Sequence, residues 1–282
     1  MGEAKQRKAA KSEQAAMALM QDVGVPMPAG FPLDGNQDAV RSALVTAGRA
    51  RMDLVEKVRT SLAQDPDGKV NAILGVIKHL AYGYADSINE QIIQASPLQI
   101  ACRQGCAWCC HQNVEVSIGE AVLIAVEISI AGNKHGEVLD ERAGELAGLD
   151  DVARAKTGKP CPLLDAEGSC SVYEVRPLAC RSYVAPDAAN CKAAFDSAVH
   201  GNGEVRPVSH GLPQITGCAV RAGVNGMLKD FGLQHDDVDL VSAVAAIRKD
   251  YEVIDRWAQG ESPFIVRIAD SDRPKIKVDP KN

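Results

Sequence analysis

No cysteine precedes position 102 in this 282-residue sequence and none follows position 218, although the chain holds nine. Four fall within nine residues, Cys102, Cys106, Cys109 and Cys110. Scattered small core hydrophobes would not cluster in this way. A cationic excess is also missing. Lys and Arg total 31 against 37 Asp and Glu, a formal charge of −6, which disfavours a phosphate backbone as partner. The longest apolar run, 121–131, is interrupted by Glu127, well short of the roughly 20 residues a spanning helix needs. Residues 1–20 carry basic residues and alanines without the apolar core of a secretory signal. No nucleic-acid or membrane partner is expected, and the expected location is cytoplasmic. Internal repeats are absent.

Nine thiols without an export signal point to metal or redox chemistry rather than to a disulfide framework, because the cytosol is reducing. With 46% apolar residues the chain can also bury a core of its own.

Residues 1 to about 15 are charged and Ala/Gln-rich, which predicts a frayed helix or disordered tail. A Gly/Pro-rich loop over 23–35 leads into helical stretches at 38–63 and 69–95, separated by the breaker Asp65-Pro66-Asp67-Gly68. In the second, Ile73, Ile77, Leu80, Tyr84 and Ile88 recur at spacings of three and four, an apolar stripe on a helix. Residues 113–116 read as a short extended piece. Ser117-x-x-Glu120 has the form of a capping box opening an apolar helix over 121–131. One or two helices should fill 137–155. The run from Cys161 to Cys170 reads as a tight hairpin turning at 165–168, which would bring two thiols together. A short helix or turn over 173–183 carries Cys180. Helical patterns at 214–231 and 236–258 follow, then an extended tail in which Phe264, Val266 and Ile268 alternate.

The expected fold is therefore mainly α, a helical domain with an irregular Cys-rich metal-binding insert that contains a small β-hairpin. Its expected divisions are 1–35, a partly disordered tail and loop; 36–97, a helical hairpin; 98–195, the cysteine-cluster region; and 196–282, C-terminal helices and an extended tail.

Soft divalent metals and iron-sulfur clusters prefer thiolates that converge to about 2.3 Å from each metal. Cys102-x3-Cys106-x2-Cys109 can wrap a metal from one loop, with Gly105 giving the backbone its freedom. Side chains of adjacent Cys109 and Cys110 diverge in helix and strand alike, so one centre does not take both. Either two centres share the four thiols or one thiol stands behind the ligands. Cys161, Cys170, Cys180 and Cys191 bring the candidate metal ligands to eight, enough for two four-ligand sites or a cluster plus a zinc. The expected cofactor is an iron-sulfur cluster, 4Fe-4S in type, or zinc. Arg176 and Arg181 flank Cys180 as candidate counter-charges; the competing role for each is an ordinary surface ion pair.

The run Cys102-x3-Cys106-x2-Cys109-Cys110, then Cys161-Pro-Leu-Leu, Gly168-Ser-Cys170-Ser-Val-Tyr173-Glu-Val-Arg176-Pro177-Leu-Ala-Cys180-Arg181 and later Cys191, resembles the YkgJ-type cysteine cluster family. The resemblance implies zinc or iron chelation through eight cysteines, and flagellin lysine N-methylase is a relative of that family. It covers about 90 of the 282 residues. The first spacing departs from the Cys-x2-Cys of many relatives, and Cys218 lies outside the pattern.

Three other functions compete. The first-loop spacing, with Trp108, is also that of radical S-adenosylmethionine enzymes, although those usually use a β/α barrel. Protein lysine methylation would need a cofactor pocket, for which only Gly201-Asn-Gly203 offers itself. Structural zinc would merely fix a loop-rich insert and leave a partner-binding protein. Among other residues, His111 could replace a thiolate, Tyr173 could hydrogen-bond a sulfur or fill the core, and Trp108 could shield the centre. The capping box accounts for Glu120. Cys218 reads as a small buried hydrophobe or a reactive thiol. His79 reads as a boundary residue, and His135, His200, His210 and His235 show no ligand spacing.

Overall fold

The computed structural model describes residues 2–28, 36–97, 99–132, 135–147, 149–201, 203–264 and 275–276. The 29–35 part of the expected Gly/Pro loop and the tail positions Val266 and Ile268 lie outside the described residues.

The fold is mainly α. In chain order it runs through α1 (Gly2–Ala18), β1 (Val25–Pro26), α2 (Gln37–Gln64), α3 (Lys69–Val76), a π-helical turn at Ile77–Ala81 and α4 (Tyr82–Ala95). A 3-10 turn at Trp108–His111 leads to β2 (Glu115–Ser117), α5 (Ile118–Ile130), α6 (Gly136–Leu146) and α7 (Asp151–Lys156). The second half holds a 3-10 turn at Tyr173–Val175, α8 (Leu178–Arg181), α9 (Ala188–His200), α10 (Gly211–Asp230), β3 (Asp237–Asp239), α11 (Leu240–Lys249), α12 (Glu252–Ala258) and β4 (Lys275–Ile276). Strands pair antiparallel as β1 with β4 and β2 with β3, the latter in the register Val116 opposite Val238.

The stripe at 69–95 forms, but its helix is interrupted: the Ile77–Ala81 turn separates α3 from α4. Such turns wind one extra residue into the helix, and Tyr82 follows directly, fully buried against the cysteine region. The expected helix at 236–258 is broken twice. Asp237–Asp239 pairs with β2 as β3, and Asp239 then accepts from Ser242 N at 2.9 Å to start α11. Asp250 closes that helix, receiving no helical continuation before α12. The N-terminal segment is helical as α1, with residues 6–12 exposed and the chain docking only from Ala16 and Met20 onward, which are buried.

The core is built around α5. Ile118, Ala121, Val122, Ile124 and Ala125 are all fully enclosed, together with Ile73 and Ile77 from before it and Val224, Met227, Val244 and Trp257 from after it. Each large aliphatic buried here stabilises by roughly 1.5–3 kcal/mol. The same cluster takes in Leu163, Val175 and Leu178, so the cysteine region is anchored to the core by its own apolar residues. A second cluster of Met20, Val25, Met27, Ala43, Leu44, Ala47, Ile215, Ala219 and Ala222 joins the N-terminal elements to α2 and α10.

Helices α2 and α10 approach closely because glycines line the contact. A Cβ on Gly223 would lie 2.8 Å from the Ala47 carbonyl oxygen, and one on Gly226 would strike the Arg51 side chain. Arg51 is buried in that seam. Its guanidinium donates to Asp230 at 2.8 and 2.6 Å, to Asp22 at 2.8 Å and to the Leu19 carbonyl.

Candidate metal centre

The first cysteine loop opens at Ala101, whose N–H donates to the Ala185 carbonyl at 2.9 Å. Ala185 in turn donates its own N–H to the Cys102 sulfur at 3.3 Å. This two-way contact ties Cys102 to the segment just before α9. Gly105 then turns the chain at φ +80°, a conformation only glycine adopts without strain. Cys106 follows, and the 3-10 turn carries Cys109 and Cys110.

The second stretch meets the first through its backbone. Cys161 N–H donates to the Cys110 carbonyl at 2.7 Å. From there the chain forms the expected hairpin: Leu164 bridges Cys170 antiparallel, Asp165 Oδ1 accepts from Glu167 N and Ser169 N at 3.1 and 2.7 Å, and Gly168 takes φ +77°. The two glycine turns face one another, since a Cβ on Gly168 would sit 3.6 Å from the Gly105 carbonyl oxygen.

Cys180 rides on α8, whose first N–H, that of Leu178, donates to Glu120 Oε1 at 2.7 Å. The other oxygen of Glu120 accepts from Ser117 N and Oγ at 3.0 Å each, while Ser117 Oγ accepts from Glu120 N at 3.2 Å. The capping box therefore forms and does more than open α5, because the same carboxylate also caps the helix that carries Cys180. Cys191 lies on α9, a helix with no strong pattern in the sequence. Asp187 caps it by accepting from Ala189 N at 2.8 Å. Phe195 of α9 packs on His111 and Trp108, at 4.4 and 5.5 Å between ring centres, which sets α9 against the turn bearing Cys109 and Cys110.

None of the nine cysteines forms a disulfide, and the electrostatics of several of them point to their neighbours. Burial pushes the Cys180 thiol well above the usual range, and Cys161, Cys109 and Cys170 push it further. Burial raises Cys161 to about 11, with Cys170 adding to the shift. Cys191 is raised by burial and then by Cys102, Cys106 and Cys109. Cys102 is raised by burial and by Cys106 and Cys109, against the pull of the Ala185 N–H. Cys109 is raised chiefly by a hydrogen bond with Cys110 and then by burial. Two groups emerge, Cys102, Cys106 and Cys191 on one side and Cys161, Cys170 and Cys180 on the other, with Cys109 next to both. In the protonated state these thiols are neutral, and a soft cation would displace their protons on binding.

The donor set suits zinc or iron chemically, being soft sulfur throughout. Among the described residues, no three His, Cys, Asp or Glu side chains already stand in an arrangement that could hold a metal ion. The thiols are gathered rather than converged.

The two candidate counter-charges separate. Arg176 lowers the Cys102, Cys109, Cys170 and Cys180 thiols together, so it stands among them, with its guanidinium 4.2 Å from the centre of the Tyr173 ring. Its buried Nε has no hydrogen-bond partner among the described residues. Arg181 lowers Cys170 alone of these four and is held by other contacts: Asp86 at 2.7 Å, the Arg176 carbonyl at 2.8 Å, the Glu174 carbonyl and the Tyr82 ring at 4.3 Å. Tyr173, expected to fill the core, is 55% exposed. Trp108 stacks beside His111 and Phe195 with Lys192 over its face. His111 Nδ1 lies 3.2 Å from the Ala107 carbonyl. Cys218 packs against the second core cluster, as a small hydrophobe does. His210, passed over in the sequence, is buried with no partner for Nε2 among the described residues, and its backbone N–H donates to the Val184 carbonyl beside Ala185. Its polar surroundings in the sequence gave no signal of that burial.

The rival cofactor folds find no counterpart. The described residues hold only two small antiparallel sheets, not a β/α barrel, and Gly201 caps the end of α9 rather than following a strand. No helix among the described residues is long and apolar enough to cross a membrane.

The helical scaffold brings the two cysteine stretches together through the Cys161 N–H to Cys110 carbonyl bond. Residues 101–197 match the CxxCxxCC family, described as a candidate zinc- or iron-chelating domain, so the cysteine-cluster resemblance is borne out over that segment. No curated protein and no solved structure matches the chain.

Proposed function

We propose that the protein chelates metal through the thiolates of Cys102, Cys106, Cys109, Cys110, Cys161, Cys170, Cys180 and Cys191, with an iron-sulfur centre ahead of zinc. The observation that carries this reading is the meeting of the two cysteine stretches, locked by the Cys161 N–H to Cys110 carbonyl bond at 2.7 Å. The ligands divide into two sets of four. Cys102, Cys106, Cys109 and Cys191 form one, and Cys110, Cys161, Cys170 and Cys180 the other. The Cys109 and Cys110 side chains are close enough to hydrogen-bond, so this pair stands where the two sets meet, with Cys109 serving the first and Cys110 the second. Arg176 offsets the negative charge that four thiolates bring to each centre.

An iron-sulfur centre here would supply one-electron chemistry, and zinc a crosslink. The chain's part is to hold the thiols within reach, to keep them reduced in a cytoplasmic setting and to shield them with Trp108 and Phe195. Structural zinc is favoured by one observation: 99–107 and 159–172 contain a single β-bridge and no helix. A bound zinc contributes about 10–16 kcal/mol, ample to order such segments.

The deciding experiment is anaerobic purification with metal and acid-labile sulfide analysis and an absorption spectrum. Brown protein with sulfide supports the cluster, colourless protein with stoichiometric zinc supports the crosslink, and protein with neither rejects chelation.

A further inference from the structure

Beside the second set of thiols lies a cavity of about 40 Å³ whose lining includes Cys110, Cys161, Leu240 and Val241. A cavity needs roughly 10–15 Å³ for each water it holds, so this one suits three or four heavy atoms. Its charged lining is of one sign. Arg142, Arg154 and Lys159 line it, and among the described residues no carboxylate does. Two carboxylates outside the lining pair with these cations: Glu145 with Arg142 and Lys159, and Asp239 with Arg154 at 2.7 Å. Two carboxylates against three cations leave positive charge facing the cavity.

One donor is left over as well. Arg154 is only 8% exposed, and its Nη1 serves Asn113 and Asp239 at 2.7 Å each, while its buried Nε meets no partner among the described residues. Arg142 donates from Nη1 to the Pro160 carbonyl at 2.8 Å and pairs through Nε with Glu145 at 3.0 Å. A buried guanidinium N–H without an acceptor is costly, and planar oxyanions match guanidinium donors in both charge and shape.

We propose that this cavity is a binding site for a small planar oxyanion, a carboxylate of acetate size, held by Arg142, Arg154 and Lys159 with its apolar end toward Leu240 and Val241. The site itself does not require a metal. Its bearing on the centre rests on the chelation reading: an anion here lies against Cys110 and Cys161, which makes small carboxylates the ligand class that reaches the second set of thiolates.

The test follows the side-chain Nε–H resonances of Arg142 and Arg154 in nitrogen-15-labelled full-length protein. Acetate is added, with neutral acetamide as the control of equal size, and the metal content of the same sample is measured. Acetate is expected to shift both resonances saturably and acetamide to leave them in place. Arg142→Gln should weaken the apparent affinity by about fivefold or more through loss of one charge. Lys159→Gln, at an exposed side chain, should weaken it in the same direction and serves if the first variant does not fold. Unmoved resonances, or equal shifts with acetamide, overturn the anion site. An acetate shift in a sample free of metal and sulfide leaves the anion site standing and defeats chelation instead.

Discussion

The Glu120 carboxylate receives the Leu178 N–H at 2.7 Å across 58 residues of sequence, and that bond fastens the cysteine region to the centre of the core. Glu120 is fully buried, and burial raises its pKa against the opposing hydrogen bonds from Leu178 and Ser117. Fully satisfied acceptors make such a buried group tolerable, and an unsatisfied N–H left behind by its removal does not.

Glu120→Ala removes the acceptor of the Ser117 and Leu178 N–H groups together, while the bond from the backbone N–H at 120 to Ser117 Oγ remains. A stranded buried donor costs about 1–3 kcal/mol, so a loss of about 3 kcal/mol in urea unfolding is expected. Because α8 carries Cys180, the variant should also surrender metal to a chelator faster than the parent. Glu120→Gln, which retains one acceptor oxygen, should lose less on both counts.

Arg176 and Arg181 make a matched pair for testing charge at the thiols. Arg176→Gln should speed metal removal by a chelator about tenfold, the effect of roughly 1.4 kcal/mol of lost attraction. Arg181→Gln should lower thermal stability through its lost contacts with Asp86 and the Tyr82 ring, and leave the removal rate near that of the parent. Equal removal rates in the two variants would mean that Arg176 has no privileged position among the sulfurs.

Gly48 lies under α1, where a Cβ would come 1.8 Å from the Ala16 carbonyl oxygen. Gly48→Ala must therefore push α1 off α2. Overpacking of this kind costs typically about 1–3 kcal/mol. Hydrogen exchange should show faster exchange in α1 with α5 unchanged.

Asp22 faces a burial penalty, but hydrogen bonds from Arg51 and Lys229 prevail and hold its pKa near 2, below the ordinary 3.8. A depressed carboxylate contributes stability above its unfolded pKa and loses it as pH falls through the folded one. The melting temperature should therefore drop between about pH 4 and pH 2, and Asp22→Asn should flatten that part of the profile.

What could be read from the sequence had local causes. The capping box at Ser117, the hairpin at Asp165 and Gly168, and the helix starting at Lys69 each depend on residues a few positions apart, as does the clustering of the first four thiols. What escaped it depends on distant partners. β3 is three residues long and pairs with β2 across more than a hundred positions, so it carries no pattern of its own, whereas β2 overlaps the short extended piece expected at 113–116. Helix α9 buries only Ala194 and thus shows no apolar stripe, which hid the setting of Cys191. Arg176 and Arg181 look alike in their motif. Asp86, 95 residues away, is what claims Arg181 and leaves Arg176 for the sulfurs.

The most direct test of the centre is cysteine-by-cysteine alkylation of the anaerobically isolated protein, read by mass spectrometry before and after chelator treatment. Cys102, Cys106, Cys109, Cys110, Cys161, Cys170, Cys180 and Cys191 should be protected at first and labelled once metal is removed, with Cys218 labelled to the same extent in both states. Identical labelling of those eight with and without chelator would contradict the account.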